Sequence, residues 1–248
     1  MTMGELLSLV IITKNEERRL LKCLQSVHFA DEIIIIDSGS EDKTIELAES
    51  CDARVIRQTW LGYGKQKQFA VEQAKNDWVL CLDADEHLSM ELQKNIQRVL
   101  QQPDFMAYYM PRCNRFMGRW LRHGEGYPDL SLRLFNRQHA RWGDQPIHEC
   151  VETKGSVGLL SGDLMHESEE TRQQYLAKQD RYTSLQAQQL FEQGKKAPVY
   201  KLLLNPAVRF IRFYFLRLGL LDGLPGLVHI WIGCSNTYNK YVKLRRLS

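Results

Sequence analysis

Three apolar runs, LSLVIIT, EIIIID and WVLCLDAD, constrain the fold more than any other feature of the chain. Each is short and rich in branched side chains, and none alternates apolar with polar residues. A strand of that kind is buried on both faces, as in a parallel sheet. Segments with helical spacing separate the runs. EERRLLKCLQSV repeats apolar residues at Leu20, Leu21, Leu24 and Val27, and DKTIELAESC and GKQKQFAVEQAK follow. RVIRQ reads as one further short strand. The alternation predicts an α/β fold, a mostly parallel sheet flanked by helices. Right-handed crossovers then bring every strand's carboxyl end to one edge, where open α/β sheets bind ligands.

Acidic residues arrive at that edge. Asp37 ends the second run; Asp83 and Asp85 end the last, with Glu86 and His87 behind them. Residues two apart on a strand point the same way, so Asp83 and Asp85 are expected to converge. Clustered carboxylates repel one another and commonly hold a hard cation such as Mg2+ or Mn2+. The alternative is a helix cap, in which the acids favour the N-terminus of HLSMELQKNI. In IIIIDSGSEDKT, Asp37 can accept from a ribose or a base, and the Ser/Gly turn permits close backbone approach. Ordinary capping by Ser40, Asp42 and Thr44 is the alternative there. No GxGxxG and no GxxxxGK[ST] occurs, which weighs against a dehydrogenase and a P-loop nucleotidase.

With 248 residues, 44% hydrophobic and 25% charged, the chain has the composition of a globular protein. Its charge is uneven. Residues 201–248 hold eight Lys or Arg and one acid, Asp222, a balance of +7; the rest holds 25 basic and 29 acidic residues, a balance of −4. A basic tail on an acidic body points to an anionic partner for the tail. The six cysteines form no CxxC pair and are expected to be reduced thiols of a cytosolic protein. MTMGELLSLVIITKNEE lacks a basic leader region, so no signal peptide is expected, and no apolar run is long enough to predict a transmembrane helix.

The middle of the chain carries strand-like FMAYYMPRCNRFMGRW and LSLRLFNRQ, then a helix expected from Glu169 to Glu192. Pro198 precedes the tail. On an ideal helix Arg209, Arg212 and Arg217 fall within an arc of roughly 140°. Aromatic residues cover much of the remainder, the pattern of a helix lying in a membrane interface. Asp222 and Pro225 are expected to interrupt it. A basic core or dimer helix is the alternative. No nucleic-acid motif is present, so no nucleic-acid partner is expected.

LSLVIITKNEE, EIIIIDSGSEDKT, GYGKQKQFAVEQAKNDWVLCLDADE and the later PIHE occur in this order. Together they resemble the inverting family 2 glycosyltransferases with the GT-A fold, and more narrowly the bacterial lipopolysaccharide inner-core β-glucosyltransferases. The resemblance implies a UDP-sugar donor, a lipid-linked core oligosaccharide acceptor and a divalent metal, Mg2+ or Mn2+. It places Thr13, Glu16, Asp37, Lys65 and Asp83 at the nucleotide-sugar, and Asp85 with His166 at the metal. Glu149 is the candidate base, with Asp129 as its rival. His148, Arg133 and Arg137 are weaker candidates for diphosphate or acceptor contacts, and Lys178 and Tyr182 weaker still. The expected domains are residues 1–195, with a nucleotide-sugar half to about 104 and an acceptor half beyond it, and a membrane-associating helical extension, 196–248. The expected location is peripheral, on the cytoplasmic face of the inner membrane. A sugar nucleotidyltransferase and a non-catalytic nucleotide-sugar sensor are the competing functions; TKNEERR is not the Gly-rich triphosphate loop that the first would want.

Overall fold

The computed structural model describes residues 4–143, 149–168 and 172–247. The first elements alternate as expected: β1 (Leu7–Thr13), α1 (Leu20–Gln25), β2 (Glu32–Asp37), α2 (Thr44–Glu49), β3 (Arg54–Arg57), α3 (Tyr63–Glu72) and β4 (Trp78–Asp83). Then come β5 (Glu86–Leu88), α4 (Met90–Gln101), β6 (Ala107–Phe116), β7 (Arg119–Trp120), β8 (Asp129–Asn136), β9 (Ala140–Trp142), β10 (Val151–Thr153), β11 (Val157–Leu159) and β12 (Leu164–His166). The last helices are α5 (Arg172–Glu192), α6 (Val199–Phe210) and α7 (Gly223–Leu247). A π-helical turn, Ile211–Leu216, and a 3-10 turn, Gly219–Asp222, lie between α6 and α7.

The chain forms two compact units, one of residues 1–112 with 129–167 and the other of 113–128 with 168–248. The second unit groups α5 with the C-terminal helices.

The first unit is built on a mixed sheet of order β3-β2-β1-β4-β8-β6-β12-β5. β3, β2, β1 and β4 are parallel, whereas β8 joins β4 antiparallel. Two apolar cores cover the sheet. Leu9, Ile11, Ile35, Leu80 and Leu82 pack with α1 and α4; Val10, Ile34, Ile36, Val79 and Cys81 pack with Ala70 and Val71 of α3. Successive residues of one strand thus enter opposite cores, and this is why the runs contain no polar alternation. The register pairs Thr13 with Asp37 and Ile12 with Asp83, so the ends of β1, β2 and β4 share one edge.

The helix-cap alternative for the acids fails. Asp85 lies in a turn and Glu86 starts β5. Ser89 caps α4 instead, accepting a hydrogen bond from the Leu92 amide at 3.3 Å.

In the second unit α7 packs against both α5 and α6. The tail is interrupted ahead of the expected Asp222 and Pro225: Leu218 takes a left-handed φ of 56°, and the segments on either side bend by 75°. Asp222 closes the 3-10 turn, buried, accepting from the amides of Arg122 and His123 at 3.0 and 2.8 Å. Pro225 lies in the first turn of α7, where a missing N–H costs nothing. Among the described residues no single helix is long and apolar enough to cross a membrane.

Candidate active site

At the end of β2, Asp37 is buried. Its carboxylate accepts from the Gly39 and Ser40 amides at 2.9 and 3.0 Å and from the Ser40 hydroxyl. Gly39 has φ +93°, a conformation that suits glycine and lets the turn fold back onto the acid. Thr13 Oγ1 lies 3.5 Å from the same carboxylate. The turn is thus organised by Asp37. Glu16 lies just beyond β1, its amide bonded to Thr44 Oγ1 at 2.7 Å and its carboxylate holding Arg19 at 2.8 Å through both oxygens.

Asp83 and Asp85 take different partners. Asp83 binds Lys67 Nζ at 2.8 Å and Arg133 Nη2 at 2.7 Å. Asp85 lies 3.2 Å from His166 Nε2 and 3.8 Å from Arg19. β12 makes the second meeting possible, because its antiparallel register sets His166 opposite Glu86. Two residues a full domain-half apart in sequence thereby form one donor pair.

Cations from elsewhere neutralise much of the acidic edge, a point that local sequence does not show. Arg133, inside the apolar strand LSLRLF, also binds the buried Glu86 at 2.8 Å. Arg112 lies 3.5 Å from Glu86 and binds Asp129, its cross-strand neighbour, at 2.5 and 2.9 Å. The Asp83 amide donates to Glu86 at 3.0 Å. Trp142 lies under Lys67 and Arg133, with ring-centre distances of 4.8 and 5.6 Å. Such stacking favours cations in a site with little water. Burial alone would raise the Asp83 carboxyl, but the charges of Lys67 and Arg133 hold it well below the usual carboxylate range. Burial works against the Arg133 cation too, and Glu86 and Asp83 outweigh it. The Cys81 thiol, bonded to Trp142, is pushed up to about 12 by burial.

Glu149 lies 4.0 Å from Lys67, about one third exposed. Gly64 sets the approach of α3 to this region: a Cβ there would stand 2.6 Å from the Gly143 carbonyl. His148 lies outside the described residues. Lys65 is exposed on α3, while Lys67, two residues on and about 200° round the helix, is the buried lysine that meets Asp83. Arg137 lies far from this edge, at the amino end of β4 beside Asp77. Lys178 and Tyr182 lie on α5, in the other unit. The residues missed from sequence are Lys67, Arg112 and Trp142. A lone cation within an apolar strand was the available signal for Arg133, and the KQK spacing the signal for Lys67.

Parallel β3, β2, β1 and β4 thus deliver acids to one edge of the sheet, and antiparallel β8 adjoins β4. Residues 8–156 match the family model Glycosyl transferase family 2. The chain is 33% identical to a glycosyltransferase of Rickettsia typhi over 98% of its own length and 87% of the relative's. It is 32% identical to the lipopolysaccharide core biosynthesis glycosyltransferase LpsC of Rhizobium meliloti, over 95% and 93% of the two chains. Among solved structures, residues 1–349 of S. aureus TarS in complex with UDP-GlcNAc share the fold, with a TM-score of 0.54, 14% identity and coverage of 98% and 90%. The chain belongs to glycosyl transferase family 2.

Proposed function

We propose that this glycosyltransferase moves glucose from UDP-glucose, with inversion, onto a heptose of a lipid-linked lipopolysaccharide core, at the cytoplasmic face of the inner membrane. The likeness to LpsC supports the acceptor class, and the UDP-GlcNAc complex of TarS supports a UDP-sugar donor. Family membership favours sugar transfer over nucleotidyl transfer. The observation that carries the reading is the shared edge of Thr13, Asp37, Asp83 and the Asp85–His166 pair.

Asp37 and Thr13 would meet the nucleoside, with Glu16 and Lys65 at its margin, and Asp83 the ribose. Among the described residues no set of three or more His, Cys, Asp or Glu is placed to hold a metal. The Asp85 and His166 donors, 3.2 Å apart, still fit Mg2+ or Mn2+. Such ions keep few protein ligands and take phosphate oxygens and water for the rest. When bound, the ion would supply positive charge to the departing diphosphate.

Glu149 would take the acceptor hydroxyl proton as that oxygen attacks the anomeric carbon. The new C–O bond forms as the anomeric C–O bond to phosphate breaks, and UDP leaves with the electron pair. Asp129 suits the base role less well, because Arg112 already holds its carboxylate at 2.5 Å.

The test is calorimetric titration of UDP with and without Mn2+, on wild type and Asp85→Ala. Mn2+-dependent binding that the substitution abolishes is the expected result. Failure of wild type to bind UDP in either condition would overturn the reading.

A further inference from the structure

The C-terminal unit holds a second charged site that sugar transfer does not use. A cavity of about 350 Å³ lies between α6, the π-helical turn and α7, lined by Asn205, Val208, Arg209, Arg212, Phe213, Thr237 and Lys240. It holds three cations, Arg209, Arg212 and Lys240. Arg209 binds Glu125 at 3.0 Å and Thr237 at 2.9 Å, so its charge is matched. No carboxylate pairs with Arg212 or Lys240 among the described residues. Arg209, Arg212 and Arg217 all lie within 6 Å of the Phe213 ring, at 5.7, 5.5 and 5.9 Å. That concentration of positive charge attracts an anion.

The same segment also carries exposed apolar side chains. Leu204, Val208 and Ile211 follow at steps of four and three along α6 to its C-cap, which places them on one helix face, and Phe215 follows in the π-helical turn. They are exposed by 55, 54, 52 and 52%. Solvent gains nothing from this stripe, whereas acyl chains would cover it. A free phosphate would satisfy the cations and leave the stripe wet.

We propose that this cavity takes the phosphate of an anionic membrane phospholipid, with the Leu204–Phe215 stripe resting against its acyl chains. The bent α6–α7 segment then lies in the interface rather than across the bilayer. The arginine assignment differs from the expected basic arc, since Arg209 turns inward to Glu125 and Arg212 with Lys240 carries the contact. This inference deepens the membrane location proposed above, but its readout needs neither donor nor acceptor sugar.

The experiment is co-sedimentation of the full chain with vesicles of phosphatidylcholine alone and with added phosphatidylglycerol. Wild type is expected to bind only the anionic vesicles. Arg212→Gln/Lys240→Gln is expected to bind them about thirtyfold more weakly, two lost charges at the surface. Phe215→Asp is expected to lose binding as well, and circular dichroism checks that both variants fold. Equal binding to neutral vesicles, no vesicle binding, or unchanged binding by the double variant would overturn the proposal. Unchanged binding by Phe215→Asp with lost binding by the double variant would overturn the stripe's part. UDP titration on the same samples shows separately whether the nucleotide reading holds.

Discussion

Lys67, Arg133 and Arg112 meet the acids of the first unit, each within 2.8 Å of a carboxylate, and the first two stack on Trp142. Arg212 and Lys240, in the helical unit, line a cavity and pair with no carboxylate among the described residues. The same residue types therefore do opposite work. Cations that are paired and buried hold a site's shape, because losing either partner leaves a charge without water or counterion. Cations that are unpaired and wet cost little to keep, and their charge remains available to an incoming anion.

Substitutions can break or sharpen this contrast. Glu149→Gln should lower kcat by about 10²- to 10⁴-fold. Calorimetry should show UDP binding retained, which separates an enzyme from a nucleotide-sugar sensor. Arg133→Leu should destabilise the first unit by about 3 kcal/mol in urea unfolding, the lower end for a broken buried pair because Lys67 and Arg112 remain. An unchanged urea midpoint would mean that the pairing of Arg133 with Asp83 and Glu86 is not structural.

Acid should act through the same ion pairs. The Asp83 carboxyl is held below its unfolded value, so the folded state favours its ionised form. Its contribution is present above the ordinary aspartate value of about 3.9 and is lost as pH falls below it. Urea midpoints from neutral to acid pH should fall more steeply in wild type than in Asp83→Asn. Ser89→Ala should cost about 1 kcal/mol, through the α4 cap and the Asp163 amide that Ser89 also receives at 2.9 Å. Arg212→Gln should change stability by no more than about 0.5 kcal/mol, the opposite of Arg133→Leu.

Much of the first unit could be read along the chain. β1, β2 and β4 announce themselves as unbroken apolar runs, because each strand feeds two cores at once. Their terminal acids follow by topology, since parallel strands end together. The partners of those acids could not be read. Asp83 and Asp85 were expected to converge from their spacing, yet the chain leaves the strand after Asp83 and sends Asp85 toward His166. Arg137 looked equivalent to Arg133, but antiparallel β8 carries the two toward opposite edges of the sheet.

The tail shows the same limit. Its charge and aromatic content were plain in composition, but an ideal helix was the wrong frame for its arginines. A left-handed residue at Leu218 and a π-helical turn redistribute them.

Local pattern alone determined the strand runs, the helices between them and the delivery of Asp37 and Asp83 to one edge, because burial on both faces leaves a mark on every residue of a strand. The tertiary structure alone decided which cation meets which acid, the pairing of Asp85 with His166, and which arginine of the tail turns to Glu125. Those are contacts between residues 16 or more positions apart, and a side chain's charge is visible in a sequence while the counterion that neutralises it is not.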